Sequence, residues 1–126
     1  MKKFFLLFVL VIFSLPAISA NWLQYEDKGW LDTSSLERHG DTITAWFKNL
    51  NPGTWDKEGN KKVWYIMNQY KANCKKKTLT LLYYASYDLK GNVITSHNFK
   101  GYEQTEEPII PETRGEWKFM FMCGNN

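Results

Sequence analysis

The chain has little cysteine and little histidine, and their placement removes several function classes at once. Two cysteines, Cys74 and Cys123, and two histidines, His39 and His97, are spread over 126 residues. No Cys-x-x-Cys pair occurs, whereas a structural zinc site wants about four ligands at short spacing. A metal centre is therefore not expected, and no motif calls for a cofactor. Basic charge is scarce as well: 16 Lys and Arg stand against 13 Asp and Glu, a net charge of +3. Lys2 and Lys3 supply two of those charges, and without them the balance is +1. Nucleic acid needs a concentrated basic surface, so it is not an expected partner. No repeat, low-complexity tract or linker divides the chain. No apolar run reaches the roughly 20 residues that a membrane-spanning helix needs.

The longest apolar run, Phe4 to Leu15, follows the basic start Lys2-Lys3 and precedes Pro16 and the small-residue stretch Ala17-Ile18-Ser19-Ala20. Basic start, apolar middle and small-residue cleavage zone together make a secretory signal peptide over residues 1–20. Cleavage after Ala20 leaves Asn21 first. Position 21 is not a cysteine, so it offers no site for an acyl chain, and no stable membrane anchor is expected. Residues 21–126 then form one domain, a size that buries about two thirds of its unfolded surface. The exported protein belongs in the periplasm or at the cell surface. Both are reached through an oxidising compartment, where Cys74 and Cys123 are expected to join as a disulfide.

Periodicity predicts an α+β fold: an antiparallel meander of five or six strands with a C-terminal helix on one face. Trp22–Tyr25 and Trp30-Leu31 read as short extended pieces. Asp32-Thr33-Ser34-Ser35-Leu36 reads as a capped helical turn, because Asp, Thr and Ser oxygens satisfy its first free N–H groups. Thr42–Asn49 alternates with period two, Ile43, Ala45 and Phe47 on one side. A polar loop covers residues 51–60, and a long strand runs from Lys61 to Asn73. Thr78–Tyr87 reads as a strand with Leu79, Leu81, Tyr83, Ala85 and Tyr87 on one face. A tight turn at Asp88–Asn92 leads to a partner strand, Val93–Phe99. Residues 100–110 look irregular. Pro111 suits the first position of a helix whose stripe is Trp117, Met120 and Phe121, with Gly124 as its C-terminal cap. The disulfide would then tie that helix to the end of the long strand.

Aromatic residues make up 17% of the chain. Most are expected in the core of so small a domain. Trp46 is different, since it shares its parity with Thr42, Thr44 and Lys48. Trp64 and Tyr84 also fall opposite their strands' other apolar sets. Trp46, Trp64 and Tyr84 are therefore expected on a second apolar face, as a partner-binding or homodimer surface. The run Lys75-Lys76-Lys77 is a candidate contact for an acidic partner, though three lysines in a turn more often make a solvated loop. No catalytic constellation is legible. Asp32, Ser34 and Ser35 lack a nearby histidine and are explained by capping. Glu103, Glu106 and Glu107 lie in an irregular segment, whereas glycoside hydrolysis needs two carboxylates at fixed separation in a cleft. The chain is read as no enzyme.

The order of features resembles the surface-adhesin protein E family of Gram-negative bacteria. It is carried by a Trp near the mature start, Trp30-Leu31-Asp32-Thr33-Ser34-Ser35-Leu36 and Arg38-His39-Gly40-Asp41. Ala45-Trp46, Asp56-Lys57-Glu58-Gly59-Asn60, Tyr70 to Cys74 with its basic run, Tyr87-Asp88, Gly91-Asn92-Val93 and a late cysteine follow in order. The resemblance implies an antiparallel sheet with a disulfide-tied C-terminal helix. It also implies an adhesin that binds host matrix or plasma proteins, and a dimer. The absent lipidation cysteine is where this chain departs from the family pattern. A periplasmic accessory or small inhibitor protein is the alternative expectation.

Overall fold

The computed structural model describes residues 19–55 and 62–124. The apolar run read as a signal segment and the loop Asp56–Asn60 lie outside the described residues. The chain forms β1 (Trp22–Glu26), β2 (Gly29–Asp32), β3 (Glu37–His39), β4 (Thr42–Trp55), β5 (Lys62–Asn73), β6 (Thr78–Tyr87), β7 (Val93–Asn98), β8 (Glu106–Pro108) and α1 (Arg114–Cys123). The strands make one antiparallel sheet ordered β1-β2-β4-β5-β6-β7, with β3 added on β4 and β8 on β6. The α+β reading holds, but with eight strands among the described residues. Two of them come from segments whose sequence shows no strand period. β3 precedes the Gly40 turn, and β8 arises within residues 100–110 by pairing Glu106, Glu107 and Pro108 with Thr80, Leu79 and Thr78.

Strand alternation decides which residues form the core. Ile43, Ala45 and Phe47 of β4, Ala72 of β5, Leu79 of β6 and Leu31 of β2 are buried together with Phe119 and Met122 of α1. Tyr25 joins them at a β1 bulge, its ring edge-on to Phe47 at 5.6 Å between centroids. That ring lies across Gly29, where a Cβ would stand 2.6 Å from it. Glycine at position 29 is what lets Tyr25 lie flat on β2. A polar chain closes this end of the core. Asn49 donates to the Tyr25 hydroxyl at 3.0 Å and to Glu26 at 3.2 Å, and Glu26 pairs with Arg114 of α1 at 3.4 Å. Burial pushes the Tyr25 phenol up to about 12, an effect that the Asn49 hydrogen bond partly offsets.

The short 3₁₀ turn Thr33–Ser35 is capped by Asp32, whose carboxylate accepts from the Ser34 N–H at 3.0 Å, as the sequence predicts. The C-terminal helix differs in two respects. It begins at Arg114, capped by Thr113, and not at Pro111, because Glu112 takes a left-handed φ of 62° that no helix can contain. Its inward stripe is Gly115, Lys118, Phe119 and Met122, one step round from the expected Trp117, Met120 and Phe121; Trp117 and Phe121 are exposed. The expected register fails because residues 117–122 are apolar all round except for Lys118, so periodicity alone leaves the helix free to roll. The tie between Cys74 and Cys123 holds the roll, with their Cα atoms 5.6 Å apart. Lys118 accordingly goes inside, its ammonium 5.1 Å from the Tyr70 ring centroid and 5.8 Å from that of Phe47. Burial lowers its pKa, and Glu26 acts in the opposite direction.

Candidate binding surface

The helix covers one face of the sheet. The residues of the other face follow from register. Trp46 of β4 lies across from Gln69 of β5, which lies across from Tyr83 of β6. Lys48 pairs with Met67 on one side and with Trp30 of β2 on the other, and Trp30 pairs with Gln24 of β1. Leu50 pairs with Tyr65, and Tyr65 with Tyr87. Trp22, Trp30, Lys48, Trp46, Tyr65, Tyr83 and Tyr87 therefore share the helix-free face, all of them part-exposed.

These side chains are ordered against one another. The Tyr65 and Tyr87 rings stack at 4.6 Å with 7° between their planes. The Trp46 and Tyr83 rings meet edge-on at 5.2 Å. The Lys48 ammonium stands 4.6 Å from the Tyr65 centroid and 5.9 Å from that of Trp22. Such cation–π contacts fix a flexible amine over the ring faces. Trp22, Trp30, Lys48 and Leu50 line an open hollow of about 290 Å³. The Tyr87 phenol is raised by burial, with Tyr65 and Tyr83 beside it adding to the effect.

Of the three aromatics that strand parity singles out, only Trp46 belongs to this face. Trp64 and Tyr84 fall on the parity of Phe47, since Asn68 pairs with both Phe47 and Tyr84. Trp64 shares the unbroken β5 parity of Asn68, Tyr70 and Ala72, whereas for Tyr84 the cause is a bulge on β6. Tyr70 pairs with Leu81 and Gln69 with Tyr83, leaving Leu82 as one extra residue on β6. Such an insertion reverses the alternation beyond it. Leu79 and Leu81 therefore share the helix side with Ala72 and Tyr70, while Tyr83, Ala85 and Tyr87 turn to the open side, and the expected single face of β6 is split in two. Sequence reasoning misses Trp22, Trp30, Lys48, Tyr65, Tyr83 and Tyr87 as members of this surface. The one signal it contains for them is the shared parity of Lys48 and Trp46 on β4.

The basic run forms the exposed turn between β5 and β6, with Lys76 3.9 Å from Glu106. Both histidines have carboxylate partners that the sequence does not reveal: His39 meets Glu37 at 2.8 Å, and His97 meets Glu103 at 2.7 Å. The His97 hydrogen bond holds the Glu103 carboxyl below its usual range. A second hollow, of about 330 Å³, lies between Tyr70, Leu79, Leu81 and Phe99, with Glu103 and Glu107 at its edge. Among the described residues no group of three or more His, Cys, Asp or Glu side chains gathers as a metal site would require. No helix among them is long and apolar enough to cross a membrane.

The family model described as surface-adhesin protein E matches residues 22–124. No curated protein matches the chain in sequence. Among solved structures, the crystal structure of protein E from non-typeable Haemophilus influenzae is similar with a TM-score of 0.59 at 13% identity, over 88% of this chain and 80% of that one. A second crystal form of Haemophilus influenzae protein E is similar with a TM-score of 0.62 at 13% identity, over 84% of this chain and 89% of that one. At this identity the likeness to the solved structures shows the shared fold.

Proposed function

Because this chain belongs to the surface-adhesin protein E family, we propose that it is an exported, non-enzymatic binding protein that holds a host matrix or plasma protein at the cell surface. The observation that supports this reading is the helix-free face. Seven aromatic or cationic side chains stand there in mutual contact or register, all of them part-exposed. Tyrosine and tryptophan contribute contact area at low entropic cost and keep a polar handle, which is why they dominate protein-binding patches. Trp46, Tyr83, Tyr65 and Tyr87 form the centre of the proposed contact. The turn Lys75–Lys77 would add a peripheral contact for an acidic partner.

The test has two parts. Intact cells treated with added protease should lose the protein, and a protein confined to the periplasmic fraction would favour the accessory or inhibitor reading instead. Purified protein should bind immobilised extracellular-matrix material, and Tyr83→Ser combined with Trp46→Lys should weaken that binding about tenfold or more, as loss of central aromatics does. Unchanged binding by this double variant would remove the face from the proposal. The same face would also serve self-association. Sedimentation of the wild type at high concentration decides this, a monomer excluding the dimer.

A further inference from the structure

We infer that the hollow bounded by Trp22, Trp30, Lys48 and Leu50 is a binding site for an acidic sugar, a pyranose ring bearing a carboxylate. Its size is the first argument. At about 290 Å³ it sits at the lower end of small-molecule pockets, which start near roughly 300 Å³. It admits one ring and not a folded segment of protein. Its walls are the second. Two indoles from neighbouring strands line it, and the C–H face of a pyranose is the surface complementary to an indole ring. Each indole also has an N–H donor for a ring hydroxyl. The third argument is charge. Lys48 is part-buried and held over the Trp22 and Tyr65 rings. Among the described residues no carboxylate lies within ion-pair distance of its ammonium. A cation held over two rings, with no counter-ion among the described residues, at the wall of an aromatic hollow, is complementary to an anion carried on an apolar ring face. A carboxylate there gains a charge-assisted hydrogen bond. A neutral sugar would leave the ammonium unpaired, and a bare anion would leave the indoles unused. This assignment stands apart from the adhesin reading, since a face that grips protein needs no saccharide pocket.

Methyl β-glucuronide and methyl β-glucoside differ only at the carboxylate and make the decisive pair of probes. Each is titrated into the disulfide-bonded exported protein, and the indole N–H resonances of Trp22 and Trp30 are followed by NMR. The glucuronide should shift both indoles and bind about tenfold or more tightly than the glucoside, the scale of one charge-assisted contact. Lys48→Met should abolish that preference with the far-ultraviolet spectrum unchanged, and Lys48→Arg should retain it. Equal binding of the two sugars, shifts confined to the Lys75–Lys77 turn, or acetate binding as well as the glucuronide would each overturn the assignment. So would an absence of any shift at the two indoles. None of these outcomes depends on whether matrix protein binds.

Discussion

Along β4, Ile43, Ala45 and Phe47 look toward the helix, while Thr44, Trp46 and Lys48 look away from it. The first set is closed off from solvent almost completely; the second stays part-exposed. The covered face sets the alanines Ala45 and Ala72 beside the rings of Tyr25, Phe47 and Tyr70, and α1 packs on them through Phe119 and Met122. A Cβ at Gly115 of the helix would stand 3.6 Å from Leu79, an ordinary packing distance. The open face reverses this choice, with broad rings that carry hydroxyl or indole N–H groups and a lysine clamped among them. Side chains with an apolar body and a polar tip can face water without collapsing. One strand thus serves two purposes, stability on one side and recognition on the other, separated only by its two-residue period.

That division is most sharply tested where the helix is tied down. The bond between Cys74 and Cys123 spans 49 residues of sequence, and chain-entropy arithmetic gives about 4 kcal/mol for closing such a loop. Cys74→Ser should therefore lower the melting temperature more than any substitution on the open face. Amide exchange should quicken first from Arg114 to Cys123, while β4 and β5 stay protected. Exchange rising equally across the sheet would show that the two faces do not fail separately. A smaller loss is expected from Gly29→Ala. The new Cβ would meet the Tyr25 ring at 2.6 Å, and overpacking of this kind costs about 1–3 kcal/mol. The Lys48–Tyr65 contact on the open face should be unaffected, as read from tyrosine fluorescence.

A pH titration separates the faces by a third route. The Tyr25 phenol, raised by burial from 10.0 to about 12, keeps its proton in the folded state while the unfolded chain ionises first. Its contribution is fully present below pH 10 and fades as the pH climbs toward 12. Thermal melts should accordingly show stability falling across that window, and Tyr25→Phe should make the fall shallower. An unchanged slope in the variant would assign the loss to Tyr70 and Tyr87, whose phenols burial also raises. The smallest effect expected is a gain. Lys118→Met replaces a buried cation that has no ion pair within reach among the described residues, and should raise stability by about 1 kcal/mol. A loss instead would show that the amine's place over Phe47 and Tyr70 is favourable in its own right.

Much of this molecule is legible in its residues, and the rest is hidden for physical reasons. The alternation of Ile43, Ala45 and Phe47, the Asp32 cap, the hairpin at Asp88–Asn92 and the cysteine pair all follow from local chemistry, and the structure contains each of them. β3 and β8 are three-residue edge pieces, formed by pairing with a neighbour and so without a pattern of their own. The roll of α1 depends on the disulfide, because its apolar residues offer several equivalent stripes. The binding face is half visible: parity finds Trp46 but puts Trp64 and Tyr84 on the wrong side. A bulge is one residue without a partner, and nothing in the side chains of Leu81 and Leu82 announces which of them it will be.

The unpaired Leu82 makes β6 a strand in two phases, each already in step with β5: Leu81 lies opposite Tyr70 and Tyr83 opposite Gln69. Deleting Leu82 would therefore straighten the strand and leave every ring on its present face. Drawing Leu82 into the ladder would do the opposite, sliding the residues after it by one position and exchanging Tyr83 for Tyr84 on the open side. The looped-out leucine is thus a slack link, which lets two stretches of unlike sequence parity share one neighbouring strand.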